Sequence, residues 1–154
     1  GSWDHILGNM LFLAIFGKNV EDRLGHLPYL LFYIAGGLVA TFTQTAMTLL
    51  AGTEATASVP TLGASGAIAA VLGAYFVFYP NSRVLTLVIV FLVRIPAWVF
   101  LGVWFLYQLW LGQLALSHPD QGSNVALFAH VGGFAFGAAA VAVFSVRSPT
   151  RPSY

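Results

Sequence analysis

Apolar residues fall in five long stretches separated by short polar ones: Ile6 to Phe16, Tyr29 to Leu50, Leu62 to Tyr79, Ala97 to Leu116 and Val125 to Val146. At about 1.5 Å of rise per residue, each stretch after the first can cross the ~30 Å hydrocarbon layer of a bilayer as a helix. The first reaches a crossing once Trp3 to Asn9 are counted with it. A further apolar run, Val84 to Phe91, is bounded by Arg83 on one side and by Arg94 and Pro96 on the other, which would cut a span placed there. That segment is predicted to lie at the membrane interface and to lead into the fourth helix. The pattern therefore predicts an all-α fold, a polytopic transmembrane helical bundle of about five membrane helices over residues 1–146, followed by a polar tail at 147–154.

Composition agrees with this pattern. Of 154 residues, 58% are hydrophobic and 7% charged, whereas a soluble domain needs roughly a quarter of its residues charged to cover its surface. Net charge is only +1 and no Lys or Arg run is interleaved with aromatics, so nucleic acid is not a predicted partner. The absence of cysteine excludes disulfides, thiolate catalysis and Cys-based metal sites. No metal or organic cofactor is implied, and no motif specifies an oligomeric state. The chain starts almost inside its first helix, as a fragment or trimmed piece would.

Charge placement orients the bundle. Lys18, Arg23, Arg83, Arg94, Arg147 and Arg151 are all the basic residues, and they lie after the first and third helices and in the tail. The other loops, around Thr53-Glu54 and Ser117 to Gln121, have none. By the positive-inside rule the basic side is cytoplasmic, the expected membrane is the plasma membrane, and the first, third and fifth helices run from outside to inside.

That topology gathers polar residues from distant parts of the chain. Ser65 lies near the start of the third helix and His130 near the start of the fifth, while His5 and Asn9 occupy the opening turns of the first. All four fall in one layer just below the outer surface. Gly66, Ala69, Ala70 and Gly73 on the third helix, and Gly133 and Gly137 on the fifth, form small-residue stripes that let membrane helices pack nearly backbone to backbone. Such packing would bring Ser65 Oγ towards the His130 ring.

A serine hydroxyl needs a general base to attack a carbonyl at neutral pH, and imidazole is suited to that task. No Asp or Glu lies inside an apolar stretch to complete a triad, so a Ser65/His130 dyad is the economical reading. The Ser65 backbone N–H at a helix start, with the His5 and Asn9 side chains at i and i+4, would supply donors for an oxyanion. Taken singly, Ser65 also reads as a small packing residue, and His5 and Asn9 as polar contacts between helices. In the outer half of the second helix, Gln44 is expected to hold water near the dyad. Trp98, Phe100, Trp104, Phe105, Tyr107 and Trp110 make the fourth helix a candidate for the lateral side of the site, or for an aromatic belt facing lipid.

Trp3, His5-x-x-x-Asn9, Glu21-x-Arg23-x-Gly25, Gly63-x-Ser65-Gly66 and Ala129-His130-x-x-Gly133-x-x-x-Gly137, in this order, resemble the rhomboid family of intramembrane serine proteases. The resemblance runs from Trp3 to about Val146. It implies a protease that cuts transmembrane segments of other membrane proteins, with Ser65 as nucleophile and His130 as base and later acid. His5, Asn9 and the Ser65 N–H would be the oxyanion donors, and Gly63, Gly66, Gly133 and Gly137 the packing and substrate-side glycines. Glu21 and Arg23 would form a structural pair in the cytoplasmic loop. The helix and amphipathic loop that usually precede this region in rhomboids are not expected in this chain. Some members carry an aromatic one turn after the serine that packs on the histidine; here it is Ala69, so another group is expected to hold the ring.

Two other readings compete. A rhomboid-like protein without catalysis would bind transmembrane clients for trafficking or degradation; the joint presence of Ser65, His130, His5 and Asn9 argues against it. A small proton-relaying transporter would use His5, Asn9 and His130, but the sequence has no broken helix, intramembrane acid or inverted repeat.

Overall fold

The computed structural model describes residues 3–51, 64–88, 91–117 and 126–147. Gly63, the loops around Thr53-Glu54 and 118–121, and the tail at 148–154 lie outside the described residues. A first helical rod comprises α1 (Trp3–Phe12), a π-helical turn (Leu13–Gly17) and α2 (Lys18–Leu24). Backbone dihedrals stay helical across both junctions, so the charged stretch from Lys18 to Arg23, expected as loop, continues the helix. The rod ends at Gly25, whose N–H reaches Glu21 O at 2.7 Å and whose φ of 87° is open to glycine without strain.

Three more rods follow: α3 (His26–Ala51), α4 (Ser65–Phe78) and α5 (Ala97–Ser117), and a last one, α6 (Leu127–Arg147). Two of them, over His26–Leu50 and Ala97–Leu114, are long and apolar enough to cross a membrane, while Ser65–Phe78 and Leu127–Val143 are apolar but shorter. By that measure two of the five expected spans are evident. The run expected at the interface is an antiparallel hairpin, β1 (Arg83–Val88) and β2 (Phe91–Pro96), with Val84 opposite Ile95 and Leu85 opposite Arg94. Alternating β-branched residues such as Val84, Thr86 and Val88 suit a strand. The hairpin is tied to the bundle by Ala97 N–H to Ser82 O, 2.8 Å, and Trp98 N–H to Pro80 O, 3.0 Å.

α4 is the central rod and is buried from Gly66 to Tyr75. Its small residues are what make this possible. A methyl added to Gly66 would sit 2.5 Å from the Ala40 Cβ of α3, and one on Gly36 would sit 2.5 Å from the Ala70 Cβ of α4. Gly133 and Gly137 of α6 press on the carbonyls of Gly66 and Ala70, and Gly73 of α4 presses on that of Phe134. These are helix contacts at backbone distance, as the small-residue stripes predict.

The same contacts fix the direction of each rod. Gly66 meets Gly133 and Ala70 meets Gly137, so α4 and α6 run parallel. Gly36 meets Ala70 and Ala40 meets Gly66, so α3 runs against them. Phe105 stacks on Phe134 at 4.6 Å and Phe128 lies beside Gly112, so α5 is also antiparallel to α6. At the far end of the first rod, Phe16 meets Tyr75 edge-on at 4.9 Å and Tyr79 Oη donates to Asn19 O at 3.2 Å. Lys18, Arg23 and Arg83 consequently gather at the end of the bundle away from Ser65 and His130.

Glu21 and Arg23 do not pair with each other. Glu21 Oε1 lies 2.7 Å from His26 Nδ1, closing the turn at Gly25, and the Arg23 guanidinium sits 4.5 Å above the Phe78 ring. Positions two apart on a helix point to different faces, which is why each carries a separate contact.

Candidate active site

Ser65 is the first residue of α4, with Ala64 before it in the capping position. Its backbone N–H therefore has no intrahelical acceptor, and the positive end of the helix dipole lies at its side chain. Gly66, the next residue, packs where α6 presents Ala129 and Gly133, the neighbours of His130 by one residue and by one turn. Ser65 and His130 thus head two parallel helices at the same level. Among the described residues, no hydrogen bond joins them.

The contacts of His130 lie on its other sides. Its Nδ1 is 3.0 Å from Gln108 Oε1, and its ring is 5.9 Å from that of Trp104 at an interplanar angle of 39°. Trp104 and Gln108 are four residues apart on α5 and so share a face. His5 is near enough to interact with His130 electrostatically. Asn9 Nδ2 lies 3.5 Å from His5 Nε2 along α1, confirming that these two residues share one face. His5, Asn9, Ser65 and His130 are therefore brought to one end of the bundle.

Gln44 joins this layer in a specific way. Its Oε1 accepts from Phe128 N–H at 3.1 Å and Ala129 N–H at 3.2 Å, and its Nε2 donates to Thr48 Oγ1 at 3.4 Å. Those two amides are the second and third of α6, the ones a capping side chain normally satisfies. Ala126, just before α6, has no side-chain oxygen, so α3 supplies the cap. Thr41 and Thr43 spend their hydroxyls on Gly37 O and Val39 O within α3, and Thr43 packs on Gly132.

The aromatic set of α5 divides. Trp104 faces His130, Phe105 stacks on Phe134, and Phe100 packs on Phe12 and Phe16. Trp98, Tyr107 and Trp110 are exposed. Tyr75 is engaged with Phe16 and Tyr79, away from His130.

Gln108 is the residue of this layer that sequence reasoning passed over. Its signal was present: an amide within the apolar fourth stretch, one turn after Trp104. The group expected to hold the ring in place of an aromatic at Ala69 is this amide together with Trp104.

The family model described as Rhomboid domain matches residues 1–147. Over 79 residues the chain is 32% identical to presenilin-associated rhomboid-like protein A, mitochondrial, of Danio rerio, which is 51% of this chain and 20% of that relative. The chain thus matches about a fifth of the relative's length, and the relative's mitochondrial name gives no support to the plasma membrane expected from the loops. No solved structure matches significantly. With the family model covering nearly all of the chain, from the first helical rod through α6, the protein belongs to the rhomboid family.

Proposed function

We propose that the chain is an intramembrane serine endopeptidase that cleaves transmembrane segments of other membrane proteins. The observation that supports this reading is the seat of Gly66 between Ala129 and Gly133, with Ser65 and His130 heading two parallel helices beside it. In the proposed reaction, Ser65 Oγ attacks the scissile carbonyl while its proton passes to His130 Nε2. The resulting oxyanion takes hydrogen bonds from the Ser65 N–H and from His5 and Asn9. His130 returns the proton to the departing amine, leaving an acyl-enzyme. Water, deprotonated by His130, then attacks the ester, and His130 gives that proton to the departing Ser65 Oγ, restoring the enzyme. The missing Ser65–His130 hydrogen bond fits a resting site, since such bonds often tighten only when substrate is bound.

Substrate helices would approach along α5, whose Trp98, Tyr107 and Trp110 face outward. The basic end of the bundle would lie on the cytoplasmic side, with the site opening towards the opposite face.

The test is fluorophosphonate labelling of the solubilised protein, with the adduct mapped by mass spectrometry in wild type, Ser65→Ala and His130→Ala. Labelling of Ser65 that both substitutions abolish supports the protease. No labelling, with capture of transmembrane clients retained, would favour a non-catalytic rhomboid-like protein.

A further inference from the structure

We propose that Gln108 is a positioning residue for His130, fixing both its orientation and its tautomer. The inference rests on the protease reading for its purpose, and on geometry alone for its existence. Gln108 is only 7% exposed and stands as the buried polar side chain among the described residues. Its Oε1 lies 3.0 Å from His130 Nδ1. With the amide oxygen turned towards the ring, and an amide oxygen able only to accept, the imidazole donates from Nδ1. A neutral ring has one N–H, so Nε2 is left with the lone pair. That is the nitrogen needed to take a proton from Ser65.

In soluble serine proteases a buried carboxylate does this orienting work. An amide performs the same service without placing a charge in a low-dielectric interior, where an unpaired charge would be costly. Trp104, one turn earlier on α5, covers the ring and restricts its rotation. Ala69, one turn after Ser65 on α4, is too short to do so. The ring is therefore held from α5 and not from the serine's own helix. A consequence is that any displacement of α5 reaches the base directly, through the same side chain.

The test uses the whole chain, labelled with 15N-histidine, in wild type, Gln108→Met and Gln108→Glu. The His130 resonances are assigned by their loss in His130→Ala, and each variant is also assayed for cleavage and for Ser65 labelling. Wild type should show His130 protonated at Nδ1 and bare at Nε2 at neutral pH. Gln108→Met, equal in length but with only a weakly accepting sulfur, should lose this single tautomer and fall at least tenfold in cleavage and labelling together. Gln108→Glu, which keeps an acceptor, should retain the proton on Nδ1. A wild-type ring protonated at Nε2 overturns the proposal, as does a Gln108→Met protein with unchanged tautomer and activity. Because the spectrum needs no turnover, an Nδ1–H ring in an unlabelled wild type would remove the protease reading and leave the role of Gln108 standing.

Discussion

Replacing Gly137 with alanine tests whether the α4–α6 seam sets the geometry of the site. The new methyl would lie 2.6 Å from the carbonyl carbon of Ala70 and 2.8 Å from its Cα, and would collide with the carbonyl oxygen. Carbon atoms in contact need about 3.5 Å, so the helices must part by roughly 1 Å. Both walls are backbone, and no change of rotamer can relieve the clash. Overpacking of this kind costs about 1–3 kcal/mol, against a gain of up to ~1 kcal/mol from alanine's better helix propensity. Relative to an alanine placed where there is room, which shares the propensity gain, the cost of about 1–3 kcal/mol should lower the Tm by roughly 2–12 °C in a chain of this size. Gly137 lies two turns from His130, about 10 Å along α6. A parting of ~1 Å that reached the dyad would slow chemistry by about 10²-fold. Gly8→Ala and Gly102→Ala are the controls, because a methyl at either position meets nothing within 4 Å. Melting curves in detergent and rates of Ser65 labelling should separate Gly137→Ala from both. Should it melt and label like Gly102→Ala, the seam would not be the close contact described, and the argument for site geometry would fail.

Gln44→Leu should strip α6 of the acceptor for Phe128 N–H, while Ala129 N–H keeps Ala126 O at 3.1 Å, costing about 0.5–2 kcal/mol and slowing Ser65 labelling with it. A loss of turnover with Tm and labelling intact would instead assign Gln44 to holding water. Arg23→Ala should cost about 0.5–1 kcal/mol through loss of the guanidinium above Phe78; Arg23→Lys should recover part of it, and equal melting of all three proteins would refute the contact. Gly25→Ala forces a side chain into a φ of 87°, and should destabilise by about 1–2 kcal/mol, read as a lower Tm with an unchanged labelling rate per folded molecule.

The layer of candidate residues was legible because membrane topology reduces depth to counting crossings. Once charges set the direction of each stretch, His5, Asn9, Ser65 and His130 had to fall at one end. The glycine and alanine stripes were legible for a similar reason, since spacing along a helix maps directly onto a face. What escaped depended on partners that spacing does not name. Gln108 was hidden among the aromatics of its own helix, and its meaning comes only from the ring it meets on α6. The Gln44 cap likewise depends on Ala126 having no side-chain oxygen at the start of a helix 82 residues later. The hairpin was ambiguous because a short apolar run suits strand or buried helix equally, and pairing with a second strand decides the matter. The charged stretch from Lys18 to Arg23 suggested a loop, yet charges at the end of a rod remain helical when they can reach water.

α4 has 14 residues, about 21 Å of helix, against a hydrocarbon layer of roughly 30 Å. α3, with 26 residues, is about 39 Å long. A rod that short would thin the bilayer if lipid surrounded it, but the neighbouring helices cover it from Gly66 to Tyr75. Lipid thickness therefore acts on the outer rods and not on the one that carries Ser65. The level of the serine is then set by its protein neighbours, whereas on the proposed protease reading the depth of a substrate helix would follow the membrane. On that reading, the peptide bond that meets Ser65 would be partly set by the bilayer in which the two molecules meet.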